Sequence, residues 1–214
     1  GVHGIQITEQ VLGYMLMHER KLDIALKAQL QRKWLSFFRN SYLPGELYEK
    51  SVLIVGLGNI GRRMAQVFKS IGMKVSAVKY DTSNVVNNVD KLYNVEELKN
   101  ALQSADYVVI ALPYTKATHH LFGNAEFAAM KSSSFLINIG RGSIVNEPEL
   151  ITALKKHTLA GAALDVFETE PLPASSQLWQ LENVIITPHH AGLTPHYMSR
   201  VTDIFCENFK AFIK

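Results

Sequence analysis

A chain of 214 residues with 47% hydrophobic content has enough apolar material for one large or two small domains with a real core, which excludes a disordered polypeptide. Its 22 Lys and Arg against 19 Asp and Glu leave a net charge of only +3 with no long basic run, so neither nucleic acid nor an anionic membrane is expected as a partner. The single cysteine, Cys206, rules out an intrachain disulfide and any cysteine-rich metal site, and no apolar run reaches membrane-spanning length, so a soluble, cytoplasmic protein is expected.

In chain order, residues 5–26 carry Ile7, Val11, Leu12, Met15, Leu16, Leu22 and Leu26 at helical spacing, which predicts one amphipathic helix extending towards Lys33. Residues 34–50 hold Trp34, Phe37, Phe38, Tyr42 and Tyr48 around the turn signal Pro44-Gly45, an aromatic connecting loop. Next comes the most informative stretch. Val52 to Val55 have strand composition, Gly56, Gly58 and Gly61 supply G-x-G-x-x-G, and Ile60, Met64, Val67, Phe68 and Ile71 recur at helical spacing. Strand, glycine turn and helix in that order form a dinucleotide cradle. Gly56 permits the tight turn, Gly58 lets a pyrophosphate approach the backbone, and Gly61 lets helix and strand pack closely. The free N–H groups of the helix's first turn, Asn59 and Ile60 among them, then face the phosphates.

A second strand is predicted at 74–78, a loose region to Asn94, and a short helix at 95–103 with Glu96 and Glu97 in its first turn. Residues 107–112 read as a strand stopped by Pro113, 124–130 as a short helix, and 134–139 as a strand entering Gly140-Arg141-Gly142. A helix is expected at 147–157 with Pro148 harmless near its start, strands at 162–166 and 184–187 around a Pro- and Ser-rich loop, and a last helix from about Pro195 to Ile213. Strand and helix thus alternate about six times, the pattern of a doubly wound parallel α/β sheet with its ligand crevice at the carboxyl ends of the strands.

At the end of the second strand an acidic residue would bind the ribose of NAD, but Lys79 stands there, followed by Tyr80, and the first acid is Asp81. A lysine attracts a 2′-phosphate, so NADP(H) is the favoured cofactor; NAD(H) is the alternative should Asp81 reach the ribose. Arg141, Glu170 and His189 all fall in strand-end loops. They supply a guanidinium for a carboxylate, a carboxylate that favours an imidazolium, and an imidazole for acid–base work, which suits reversible oxidation of a 2-hydroxy acid.

Four motifs then match a family in order and spacing. Gly56-Leu-Gly-Asn-Ile-Gly61, Ile137-Asn-Ile-Gly-Arg-Gly-Ser-Ile-Val145, Ala163-Leu-Asp-Val-Phe-Glu-Thr-Glu-Pro-Leu-Pro173 and Asn183-Val-Ile-Ile-Thr-Pro-His-His-Ala-Gly192 closely resemble the D-isomer-specific 2-hydroxyacid dehydrogenases. The resemblance implies a Rossmann fold in which Arg141 binds the substrate carboxylate and carbonyl, His189 gives and takes the proton, and Glu170 pairs with His189. It also implies that Asp165 lies by the nicotinamide, and that Ala111, Leu112 and Pro113 line the adenine side, with Ile139, Gly140 and Gly192 completing the cofactor site. His190 departs from the family pattern, where a small or apolar residue is usual.

By this resemblance residues 1–50 form a leading helix and aromatic connection, 51–192 the dinucleotide-binding domain and 193–214 a C-terminal helix. The family's N-terminal substrate domain, of on the order of 100 residues, is not in the sequence. An NAD(P)-dependent oxidoreductase, or its cofactor domain, acting on a small 2-oxo or 2-hydroxy acid is therefore expected, as a homodimer joined through the cofactor domain. The alternatives are a dinucleotide-binding, corepressor-like interaction module and a catalytically incomplete fragment. A metal site built on His119-His120 or on His189, His190 and His196 is disfavoured, because such pairs lack acidic or cysteine ligands at suitable spacing.

Overall fold

Runs of apolar residues with no polar alternation belong to strands covered on both faces, and the centre of the sheet is built from them. In a computed structural model describing residues 1–36, 43–83 and 86–213, seven strands form one sheet: β1 (Ser51–Val55), β2 (Lys74–Val78), β3 (Lys91–Tyr93), β4 (Tyr107–Ile110), β5 (Phe135–Asn138), β6 (Gly161–Leu164) and β7 (Val184–Ile186). Their order is β3-β2-β1-β4-β5-β6-β7, and every pairing is parallel. β4, β5 and β6 are buried at every position. The chain is thus a doubly wound Rossmann-type α/β fold, as the alternation of elements predicted.

The helices are α1 (Gly4–Glu19), α2 (Leu22–Leu30), α3 (Asn59–Ser70), α4 (Leu98–Leu102), α5 (Asn124–Ala129), α6 (Glu147–Lys155) and α7 (Tyr197–Phe212). They cover both faces. On one, Leu98, Phe127, Leu150 and Leu154 pack onto Val108 and Leu136; on the other, Val11, Met15, Met64 and Phe68 pack onto Val52, Ile54 and Val109. α1 therefore belongs to the same core as the glycine-turn helix, although it precedes the first strand by some thirty residues. α7 buries none of its residues.

Several sequence expectations need correcting. The single helix over 5–26 is two helices, parted at Arg20-Lys21, where Lys21 takes φ +55°. The apolar stripe runs on across the break, which is why periodicity did not show it. β3 was not anticipated: three residues at a sheet edge are too few to display a period, and its place is held by Asp90, whose carboxylate accepts from Val75 N–H at 2.8 Å and from Lys69 at 2.5 Å.

Two helix starts are fixed by local side chains that the sequence reading did not single out as caps. Asn94 and Glu97 bond reciprocally at 3.1 and 3.0 Å, and Asn146 caps α6 ahead of Pro148. The turn expected at Pro44-Gly45 lies instead at 47–49. Gly45 serves close approach, because a Cβ there would stand 1.8 Å from Glu19 Oε1. Phe37, Phe38 and Tyr42 of the aromatic loop lie outside the described residues.

Candidate active site

The sheet order reverses between β1 and β4, and the loops leaving those two strands diverge to opposite faces, opening a crevice at their carboxyl ends. A cleft of about 870 Å³ lies there. Beneath it the glycine turn shows why each glycine is needed. Gly56 has φ +108°, and a Cβ on it would meet Ala111 O at 2.7 Å; on Gly61 a Cβ would meet Gly56 O at 2.2 Å. A Cβ on Gly58 would meet nothing within 4 Å, so the space in front of that backbone is open. The first helical bond of α3 runs from Arg62 N–H to Gly58 O at 2.9 Å, leaving the N–H groups of Asn59, Ile60 and Gly61 without a backbone acceptor inside the helix. An open approach beside unsatisfied donors at a helix N-terminus fits a pyrophosphate.

Lys79 directly follows β2, and Gly56 N–H donates to Val78 O at 3.1 Å, so the lysine stands beside the glycine turn. Asp81 is turned to its own loop. Its carboxylate accepts from Ser83 Oγ at 2.6 Å and from Ser83 N–H at 3.0 Å, and these bonds hold it below the usual carboxylate range. Tyr80 is exposed.

Asn138, buried at the end of β5, shapes the next turn: its Nδ2 donates to Arg141 O at 3.1 Å and its Oδ1 accepts from Gly140 N–H at 3.1 Å. Gly142 then packs against the peptide after Phe167, where a Cβ would sit 1.9 Å from Phe167 C. That contact seats the Arg141 turn on the loop carrying Glu170. Arg141 Nη1 donates to Gly140 O at 2.7 Å.

His189 Nδ1 lies 2.6 Å from Glu170 Oε2, while Glu170 Oε1 accepts from Phe167 N–H at 3.0 Å. Partial burial alone would raise the Glu170 carboxyl, but the His189 bond, the Phe167 N–H and the charges of His189 and Arg141 outweigh it and hold the group below its ordinary value. Because a carboxylate accepts at Nδ1, the ring proton sits there and Nε2 is left for exchange. His189 itself takes φ +50°, a strained conformation for histidine. Its loop is held by buried Asp165, whose Oδ1 accepts from Thr187 Oγ1 at 2.6 Å and His190 N–H at 3.0 Å and whose Oδ2 accepts from Ala191 N–H at 3.0 Å.

Of the residues singled out from sequence, Ile60, Ala111, Leu112, Pro113, Ile139, Gly140, Arg141, Asp165, His189 and Gly192 all line the large cleft. Gly56, Gly58, Asn59 and Gly61 form the turn beside it, and Lys79 with Tyr80 stands at the neighbouring strand end. Arg141, Glu170 and His189 also line an adjoining cleft of about 350 Å³. Sequence reasoning missed Asn138, His3, Tyr114 and Tyr197. Asn138 lay inside a quoted motif; the others border the cleft from α1, a loop and α7, with no local pattern to mark them. Among the described residues no group of three or more His, Cys, Asp or Glu could hold a metal ion, and no helix is long and apolar enough to cross a membrane.

Fold and crevice together define a dinucleotide-binding α/β domain of the doubly wound class. Residues 12–191 match the family model described as "D-isomer specific 2-hydroxyacid dehydrogenase, NAD binding domain". A glyoxylate reductase of Thermofilum pendens is 33% identical over 219 residues, covering 100% of this chain and 63% of its own. Two solved structures are similar as well. A D-isomer specific 2-hydroxyacid dehydrogenase family protein of Aeromonas salmonicida has 39% identity and TM-score 0.88, covering 100% of this chain and 66% of that one. A probable 2-hydroxyacid dehydrogenase of Rhizobium etli, in complex with NADP, has 29% identity and TM-score 0.84, covering 97% and 65%. The chain belongs to the D-isomer specific 2-hydroxyacid dehydrogenase family and carries its NAD-binding domain. It spans about half to two thirds of the length of the curated relatives it matches.

Proposed function

We propose that this domain serves NAD(P)-dependent interconversion of small 2-oxo and 2-hydroxy acids, with Arg141, Glu170 and His189 as its catalytic residues. The observation that carries the reading is that these three, 48 positions apart from first to last in the sequence, border one small cleft that adjoins the dinucleotide crevice. A bound nicotinamide would supply the hydride. Arg141 offers a planar fork of donors suited to a carboxylate and to the oxygen on which negative charge develops. His189, its Nδ1 bonded to Glu170, presents Nε2 to give a proton during reduction and take one during oxidation. Glu170, kept ionised, holds the ring in that tautomer and stabilises its cation. The names of relatives, such as glyoxylate reductase and glyoxylate/hydroxypyruvate reductase B, support short 2-oxo acids as substrates.

His189→Ala should lower turnover by about 10²-fold or more while dinucleotide binding survives. Unchanged turnover with glyoxylate or hydroxypyruvate would reject the assignment. For the cofactor, Lys79 beside the glycine turn and Asp81 engaged by Ser83 favour NADPH, and an NADP complex of a similar structure supports that reading. The expected result is a lower dissociation constant for NADPH than for NADH, with the difference shrinking in Lys79→Ala; tighter NADH binding overturns it.

A further inference from the structure

α1 carries a second stripe beside its apolar one. His3 stands at the N-cap position, and Gln6, Gln10 and Tyr14 follow at intervals of three and four residues, so all four share a face. Every one of them bonds to the segment 187–192. Gln6 Nε2 and His3 Nδ1 reach Gly192 O at 3.0 and 3.2 Å, Gln10 Nε2 lies 3.1 Å from His190 Nε2, and Tyr14 OH lies 2.5 Å from Thr187 Oγ1.

The donors in this line run one way. Thr187 gives its only hydroxyl proton to Asp165 Oδ1, so Tyr14 OH must donate to Thr187; Tyr14 in turn accepts from Gln10 Nε2 at 2.9 Å. A one-directional chain ending on a buried carboxylate is mutually reinforcing. Burial raises the Tyr14 phenol above its ordinary value, against the opposing bonds from Thr187 and Gln10, so it stays a donor. The same geometry accounts for His190, the position that departs from the family pattern: its Nε2 is the acceptor for the amide of Gln10.

His189 sits between Thr187 and His190, two of the three anchors of this stripe, in a strained backbone conformation and with its ring half-exposed. Nothing in its own side chain apart from the Glu170 bond fixes the loop. We propose that Tyr14 is a positioning residue for His189, acting through Thr187 and Asp165 to hold Nδ1 against Glu170 and so to fix which ring nitrogen carries the proton. This rests on the reading of His189 as the proton donor and acceptor.

The test is long-range ¹H–¹⁵N correlation of the histidine rings in the purified chain, which reports the protonated nitrogen without requiring turnover. In wild type the neutral His189 ring should be the Nδ1–H tautomer. Tyr14→Phe and Thr187→Val should each lower the Nδ1–H to Nε2–H ratio by about fivefold, the size expected of one hydrogen bond of about 1 kcal/mol, while Thr187→Ser retains the wild-type ratio. NADPH affinity should stay within about twofold in all three, since none touches the glycine turn. Identical His189 signals in wild type, Tyr14→Phe and Thr187→Val would overturn the proposal. Should Tyr14→Phe not fold, the contrast between Thr187→Val and Thr187→Ser decides. Turnover by His189→Ala reports separately on the function, so either idea can fail alone.

Discussion

The glycines of the turn after β1 look alike in sequence, yet they are held to glycine for different reasons. At Gly61 a methyl group would enter the carbonyl of Gly56, with no flexible side chain to yield, whereas at Gly58 it would project into open space. Gly61→Ala should therefore destabilise the fold by about 1–3 kcal/mol or more. Gly58→Ala should leave stability within about 1 kcal/mol but weaken dinucleotide binding tenfold or more, because the phosphate loses its approach to the backbone. Denaturant melts with parallel NADPH titrations separate the two; a Gly58→Ala protein that binds normally would count against the phosphate site. The motif marked both positions, but only the packing distinguishes fold from ligand. At Asp81 too the structure adds a contact that spacing could not show. Its spacing from the glycines left it a possible ribose ligand, and the Ser83 bonds show that its carboxylate is engaged within its own loop.

Among the elements, α1 changed most in meaning. Its apolar stripe was legible from residue spacing and correctly implied packing, and Val11 and Met15 are fully buried. Its end is fixed by contacts that sequence does not show. His18 stacks on Phe135 at 4.2 Å, and neighbouring Glu19 accepts from Tyr107 OH at 2.6 Å.

Burial, with the charge of Lys21 adding to it, drives the His18 imidazole down to about 4 from its ordinary 6.5, in spite of nearby Glu19 and Asp23. The folded chain thus refuses a proton that the unfolded chain binds between those two values. Stability is present above pH 6.5 and is lost as pH falls towards 4, by on the order of 3 kcal/mol. His18→Phe keeps a ring on Phe135 and should flatten the stability–pH curve between pH 6.5 and 4, measured by urea melts. A slope identical to wild type would remove His18 from the account. The opposite case is β3, which was invisible because its three residues form by pairing with β2, held from outside by Asp90 and Lys69.

For the molecule as a whole, the sequence determined the class of fold and the list of candidate residues. Six short apolar or nearly apolar segments separated by helical ones can bury both faces of each strand only as a parallel sheet with helices on either side, and the right-handed crossover leaves little choice of order. Glycine spacing and the residues of four strand-end motifs likewise follow from local chemistry that a chain displays in its own order. What only the tertiary structure decided is which of those residues meet. The reversal between β1 and β4 opens the crevice and gathers loops from positions 56, 111, 139 and 189 around it. The polar stripe of α1 became the support of the His189 loop only because α1 packs back over the sheet, joining Tyr14 to a threonine 173 residues away. A local pattern records the stretch of chain that produces it; a bond between distant stretches is set by how the layers close, and that no local pattern can carry.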